Sequence, residues 1–194
     1  MADDRTDLLQ PPGSAERQAT RVVFFVTGFG SAAWAALVPF AKMRAGISDG
    51  TLGLLLLCLG VGSIVTMPFA GALAARFGCR RVMIAGGLIV AVVLPLLATL
   101  STFPSLGVTL MMFGAGIGAI DVAMNIQAII VERASGRSMM SGFHGLFSLG
   151  GIAGAGGMAL LLSSGASPLA ATLCVSAGVP VSYTHLTLPT IYSV

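Results

Sequence analysis

Apolar residues along this chain gather into long runs that are almost free of charge. Five such runs cover about residues 22–40, 51–74, 82–100, 106–131 and 139–162, and a sixth covers about 168–180. A hydrocarbon core about 30 Å thick is crossed by roughly 20 apolar residues in helical form, so each of the five full runs is long enough to span a bilayer. The separators, near 45–50, 76–81, 101–105, 132–137 and 163–167, are short and rich in small or charged residues. Short connections force neighbouring helices to lie antiparallel. The pattern predicts an all-α membrane protein built as an up-and-down bundle.

Composition supports that reading. Of 194 residues, 56% are hydrophobic and only 9% charged, with a mean hydropathy of +0.96; so few charges could not clothe a water-soluble globule. The net charge of +3 does not point to nucleic acid, because the basic residues stand singly between apolar spans. Cys58, Cys79 and Cys174 are far apart and match no metal or disulfide spacing; no metal or cofactor is expected. Residues 1–21 read as a polar, disordered cytoplasmic tail without a hydrophobic core of its own, so the run from Val22 is a first span and not a cleaved leader.

Counting Lys and Arg orients the bundle. With the N-terminus inside, the inner segments hold Arg5, Arg17, Arg21, Arg76, Arg80, Arg81, Arg133 and Arg137, whereas the outer loops hold only Lys42 and Arg44. Basic loops are retained on the cytoplasmic side, so a multi-pass protein of the inner (plasma) membrane with a cytoplasmic N-terminus is expected. Glycine is frequent in the fourth and fifth runs (Gly114, Gly116, Gly118; Gly150, Gly151, Gly154, Gly156, Gly157). Small residues let backbones approach closely in lipid, either as static packing or as surfaces that slide.

One acidic residue, Asp121, lies inside a span, 11 residues before Glu132 and so roughly 16 Å from the helix end. An intramembrane carboxylate costs about 2.5–3.5 kcal/mol on insertion scales and is expected to face a cavity or partner. Its candidate role is proton coupling; the competing reading is a buried structural hydrogen-bonder. Asn125 shares its helix face, and His144 in the next span falls at a similar depth to Asn125, so the three could form a proton relay or a polar substrate site. Thr27, Ser31 and Trp34 of the first span are further substrate or relay candidates, Trp34 equally an outer aromatic anchor. Ser148, four residues after His144, raises an intramembrane serine hydrolase as a remote alternative, but no strained nucleophile turn accompanies it; no catalytic residue is assigned.

The connection after the second span reads Gly71-Ala-Leu-Ala-Ala-Arg76-Phe-Gly78-Cys-Arg80-Arg81. It resembles the signature loop of the major facilitator superfamily: glycine, three variable residues, an acid, a base, any residue, glycine and two bases. Gly71, Arg76, Gly78, Arg80 and Arg81 carry the likeness, while the acid is replaced by Ala75 and the first paired base by Cys79. The resemblance implies a conformational latch on the cytoplasmic side, here weakened or rewired. Asp121-Val-Ala-Met-Asn125, followed by Gly142-Phe-His144-Gly-Leu-Phe-Ser148-Leu-Gly150, is similar to the span-four acid-x-Ala-x-Asn segment of fucose-permease-like transporters of a prokaryotic branch. That likeness implies that Asp121 couples protons to a small polar, sugar-like substrate. Ala35 stands where the sugar permeases have a first-span acid, and the fifth span lacks the Gly-Pro pair of drug antiporters.

The family builds transporters from two six-helix halves, each a 3+3 inverted repeat. The expectation is therefore an N-terminal half (residues 22–180) with a truncated last helix, completed by a C-terminal half, with a small molecule, protons and the lipid bilayer as partners and no nucleic acid. A drug or metabolite efflux antiporter of the same fold is the alternative. Residues 181–194 break the sixth run with Val-Ser-Tyr-Thr-His-Leu-Thr-Leu-Pro-Thr, which resembles the in-frame translation of a sequencing-library transposon adapter. They are expected to be non-native.

Overall fold

The computed structural model describes residues 14–181, with side-chain surroundings for 15–177. Among the described residues the secondary structure is helical throughout: α1 (Ser14–Ala33), a 3-10 turn (Ala35–Leu37), α2 (Val38–Ala45), α3 (Asp49–Phe77), α4 (Cys79–Thr99), α5 (Phe103–Ser135), α6 (Met140–Ser163) and α7 (Pro168–Val181). Five helical stretches are long and apolar enough to cross a membrane, α1 and α2 counting as one. The all-α class therefore holds. Two boundaries differ from expectation. Helix α1 starts at Ser14, so residues 14–21, read as tail, are helical; Ala19 and Thr20 are already buried in the bundle. The first span also breaks after Ala33. Pro39 can give no amide hydrogen to Ala35 and crowds that carbonyl, and the chain tightens into the 3-10 turn before resuming as α2. The stretch 182–194, expected to be non-native, and residues 1–13 lie outside the described residues.

Helices joined in sequence are not the main packing partners. Helix α1 packs chiefly on α6, and α3 on α5; α5 also takes α4 along another side, and α4 takes α7. In both leading pairs the backbones touch. A Cβ on Gly150 or Gly154 would strike the carbonyls of Phe25 and Phe29, and one on Gly28 would strike that of Phe147. In the second pair Gly114 and Gly118 abut the carbonyls of Leu59 and Ser63, and Gly62 abuts that of Met111. The two sets share one register. A shift of 34 residues carries Phe25, Gly28 and Phe29 onto Leu59, Gly62 and Ser63, and a shift of 36 carries Met111, Gly114 and Gly118 onto Phe147, Gly150 and Gly154. Both pairs are parallel, and chain alternation runs them in opposite directions. Lipid supplies no hydrophobic force between helices, so this contact is stabilised by dispersion and weak Cα–H···O bonds that only glycine permits.

The far end of the bundle, away from α1's N-terminus, uses its two cations structurally. Arg44 closes the C-terminus of α4: its Nη2 donates to the carbonyls of Leu97 (2.7 Å) and Leu100 (2.8 Å), and its Nε to Leu100 (3.1 Å). Helix C-termini leave such carbonyls without intrahelical donors. Lys42 pairs with Asp49 across the turn into α3.

Gly154→Ala is expected to cost about 1–3 kcal/mol through forced separation of α1 and α6, whereas Gly157→Ala, whose Cβ meets open space, is neutral or stabilising. Thermal unfolding of both variants in detergent checks this; equal shifts would contradict the packing. By the same measurement, Arg44→Met is expected to lower stability by about 1–3 kcal/mol, the cost of stranding acceptors that had a charged donor.

Candidate functional site

Helix α5 sits between α3 and α4 and also touches α1 and α6, so a polar residue on it lies inside the bundle at most rotations. Asp121 and Asn125 are partly buried there. One helical turn apart, they are tied together: Asn125 Nδ2 donates to the Asp121 carbonyl at 2.8 Å and to its carboxylate Oδ1 at 3.3 Å. His144 of α6 lies within electrostatic reach of that carboxylate. Its ring meets Phe24 of α1 edge-on at 5.3 Å between centroids, and Phe24 in turn stacks on Phe143 at 5.4 Å. The structure thus brings together three of the expected polar residues from two spans, with a phenylalanine pair steering the imidazole. His144 is exposed, so the cluster opens onto the face of the bundle.

Phe24 was not among the residues singled out from sequence. It lies one turn before Thr27 and two before Ser31, on the same helix face, and that spacing could have revealed it. Thr27 is buried and donates to the Val23 carbonyl at 2.7 Å; Ser31 donates to the Gly28 carbonyl at 3.1 Å. Trp34 sits about 10 Å along the helix axis from Thr27, at the break after α1. It is 5% exposed within the main core, with Nε1 buried and without a hydrogen-bond partner among the described residues. Trp34 is therefore a core residue at a helix break within this bundle. Gln127 of α5 is 1% exposed, and neither its Oε1 nor its Nε2 has a partner among the described residues. Ser148 Oγ donates to the His144 backbone carbonyl at 3.1 Å, so no serine–imidazole hydrogen bond is formed.

The signature connection is a kink with no loop. Helix α3 ends at Phe77, α4 begins at Cys79, and Gly78 alone turns the chain, with φ 84° and ψ 149°, a conformation essentially reserved for glycine. Gly71 lies upstream against Val122. The Arg76 guanidinium lies 5.1 Å above the Phe77 ring, while Arg80 and Arg81 are exposed. Cys79, which replaces a base, is fully buried; a guanidinium could not occupy that position without losing its water. Lys42–Asp49 is the only ion pair among the described residues, so the three arginines of this kink have no carboxylate partner among them. At the α5–α6 turn, Glu132 is more than a depth marker. Its Oε2 accepts the amide hydrogens of Met139 (2.6 Å) and Met140 (2.7 Å) and so caps α6.

Membrane-length helices in paired packing around an intramembrane carboxylate define a polytopic membrane protein of the transporter type. The chain belongs to the major facilitator superfamily, whose family model matches residues 22–190. That range runs into the stretch expected to be adapter-derived, and so lends that expectation no support. The chain is 56% identical over 162 residues to a protein of Yersinia pestis described as an uncharacterized MFS-type transporter, covering 84% of this chain and 42% of the relative. It is 36% identical to the uncharacterized transporter y4wD of Sinorhizobium fredii (69% of this chain, 36% of the relative) and 35% identical to the membrane protein MosC of Rhizobium meliloti (68% and 32%). The chain thus spans well under half the length of these curated relatives. No solved structure matches it significantly.

Gly78→Ala is expected to cost about 1–3 kcal/mol, the scale of a non-glycine residue held in this backbone region. Thermal unfolding in detergent checks this; a stability equal to the parent's would mean the kink relaxes into an ordinary conformation.

Proposed function

We propose that this chain forms the N-terminal half of a proton-coupled secondary transporter for a small polar, sugar-like metabolite, with the N-terminus cytoplasmic in the inner membrane. The observation that carries this reading is the Asp121–Asn125–His144 cluster: a carboxylate inside a membrane-length helix, hydrogen-bonded on its own helix and within electrostatic reach of an imidazole on a neighbouring one. An ionised carboxylate is costly in hydrocarbon and a protonated one is not. Proton uptake at Asp121 therefore changes the cost of turning the site from one side of the membrane to the other, which is what alternating access needs. His144, exposed beside it, is the group placed to pass the proton or bind a hydroxyl of the substrate.

Two further features favour a second six-helix half. Helix α3 exposes Leu57, Ile64 and Phe69, and α6 exposes Leu149 and Ile152; both are the least buried of the membrane-length helices. Arg76, Arg80 and Arg81, without an ion pair among the described residues, would find their latch partners on that second half. Orientation rests on the excess of Lys and Arg in the segments assigned to the cytoplasmic side. An efflux antiporter of the same fold is the rival reading.

In cells expressing the full-length protein and given a panel of monosaccharides, substrate addition is expected to alkalinise the medium, as protons enter with the substrate. Asp121→Asn is expected to abolish both the pH change and accumulation while leaving the protein in the membrane. Acidification on substrate uptake would point to antiport, and unchanged accumulation in the variant would remove Asp121 from coupling.

A further inference from the structure

A cavity of about 470 Å³ opens where α1 begins and the α5–α6 connection returns. Arg17 and Arg21 of α1 line it together with Arg137, and Ser135, Ser138 and Phe143 complete the part that matters here. No carboxylate stands among its lining residues. Of the two acids near these arginines in sequence, Glu16, beside Arg17, is not a lining residue and enters no ion pair among the described residues, and Glu132 has its Oε2 engaged by the amides of Met139 and Met140. Arg21 makes only a long contact to Gln18 Oε1, at 3.4 Å, and none of the three guanidinium groups enters an ion pair among the described residues. Three positive groups around one hollow repel each other unless an anion joins them.

We propose that this cavity binds a phosphate group, carried either by an anionic phospholipid or by a soluble phosphate ester. Guanidinium groups present forked donors that match phosphate oxygens two at a time, and the two serine hydroxyls supply neutral donors beside them. The position suits a phosphate for a second reason. Residues 19 and 23–24 of α1, immediately inward of Arg17 and Arg21, are buried and mostly apolar, so the cavity lies at the end of a span, at the level where headgroup phosphates meet hydrocarbon. Phe143 connects this hollow to the transport site: the ring that lines the cavity also stacks on Phe24, which contacts His144. An anion bound here would fix the ends of α1 and α6 around that aromatic pair. Neither the identity of the substrate nor proton coupling enters the inference.

The test uses full-length protein in detergent, with phosphatidylglycerol, phosphatidylcholine and inorganic phosphate as probes and native mass spectrometry and thermal unfolding as readouts. Phosphatidylglycerol is expected to stay bound and raise Tm, phosphatidylcholine much less so. R17A/R137A is expected to weaken that binding by at least about tenfold, since charge-assisted hydrogen bonds are lost. The charge-matched control R76A/R80A keeps it. If inorganic phosphate displaces the lipid and raises Tm by itself, the natural ligand is a soluble phosphate ester; if it does neither, the ligand is a lipid. Both results support a phosphate site. Equal binding by parent and R17A/R137A, or an equal loss in R76A/R80A, would overturn it and leave the arginines to a carboxylate of another segment or to diffuse charge. Should the double variant fail to fold, R137A serves alone, because that side chain is exposed and holds no hydrogen bond among the described residues.

Discussion

The structure depends on backbone-to-backbone contact between parallel helices. In water a helix is held to its neighbour by removing apolar surface from solvent, but in a bilayer the lipid tails are as apolar as the side chains. What remains is contact at short range, and the glycines at 28, 150 and 154, and again at 62, 114 and 118, allow it by leaving room for the facing carbonyls. The same register appears twice, in pairs that cross the membrane in opposite directions. A bundle made this way has two equivalent seams, and α5, which forms one of them and also touches α1 and α6, carries the one acid that lies deep within a helix among the described residues. One of the two seams and the candidate chemistry thus share an element.

Much of this was legible in the residues. Apolar runs of membrane length, short connections and the one acid inside a span are properties of local sequence, and the structure keeps the runs and connections; Asp121 and Asn125 share a helix face, and His144 of α6 lies within electrostatic reach of Asp121. What could not be read were contacts between distant elements. Nothing local says that Arg44 reaches Leu97 and Leu100, or that Glu132 turns back to cap α6. Charged residues such as Arg21 and Glu132 end an apolar run without ending a helix, so the helices outlast the apolar runs. Trp34, expected as a substrate or relay residue or equally as an outer anchor, lies in the core of this bundle beside the break before Pro39.

Charge divides the molecule into two unlike ends. At one end Lys42 and Arg44 are consumed by Asp49 and by helix carbonyls. At the other, two separate groups of arginines, at the α3–α4 kink and around the α1 and α5–α6 cavity, stand without acidic partners among the described residues. Unpaired cations of this kind are stable at a membrane surface, where water and lipid phosphates screen them. They also leave the bundle open to partners that its own residues do not supply. A bundle that is apolar along α3 and α6 and cationic at one end has its complementary surfaces defined in advance.

The central claim is the close parallel seam that holds α6, and with it His144, against α1. A Cβ at position 151 would lie 3.7 Å from the Cβ of Ala32, within the span that a disulfide bridges. With Cys58, Cys79 and Cys174 replaced, oxidative cross-linking of A32C/G151C in native membranes measures the seam, with A32C/I152C as control because Ile152 points outward and is 73% exposed. Rapid, near-complete cross-linking of the first pair and little of the second is the predicted result. Equal and slow reaction of both pairs would show that α1 and α6 do not meet in this register, and the arrangement of the site would fall with it.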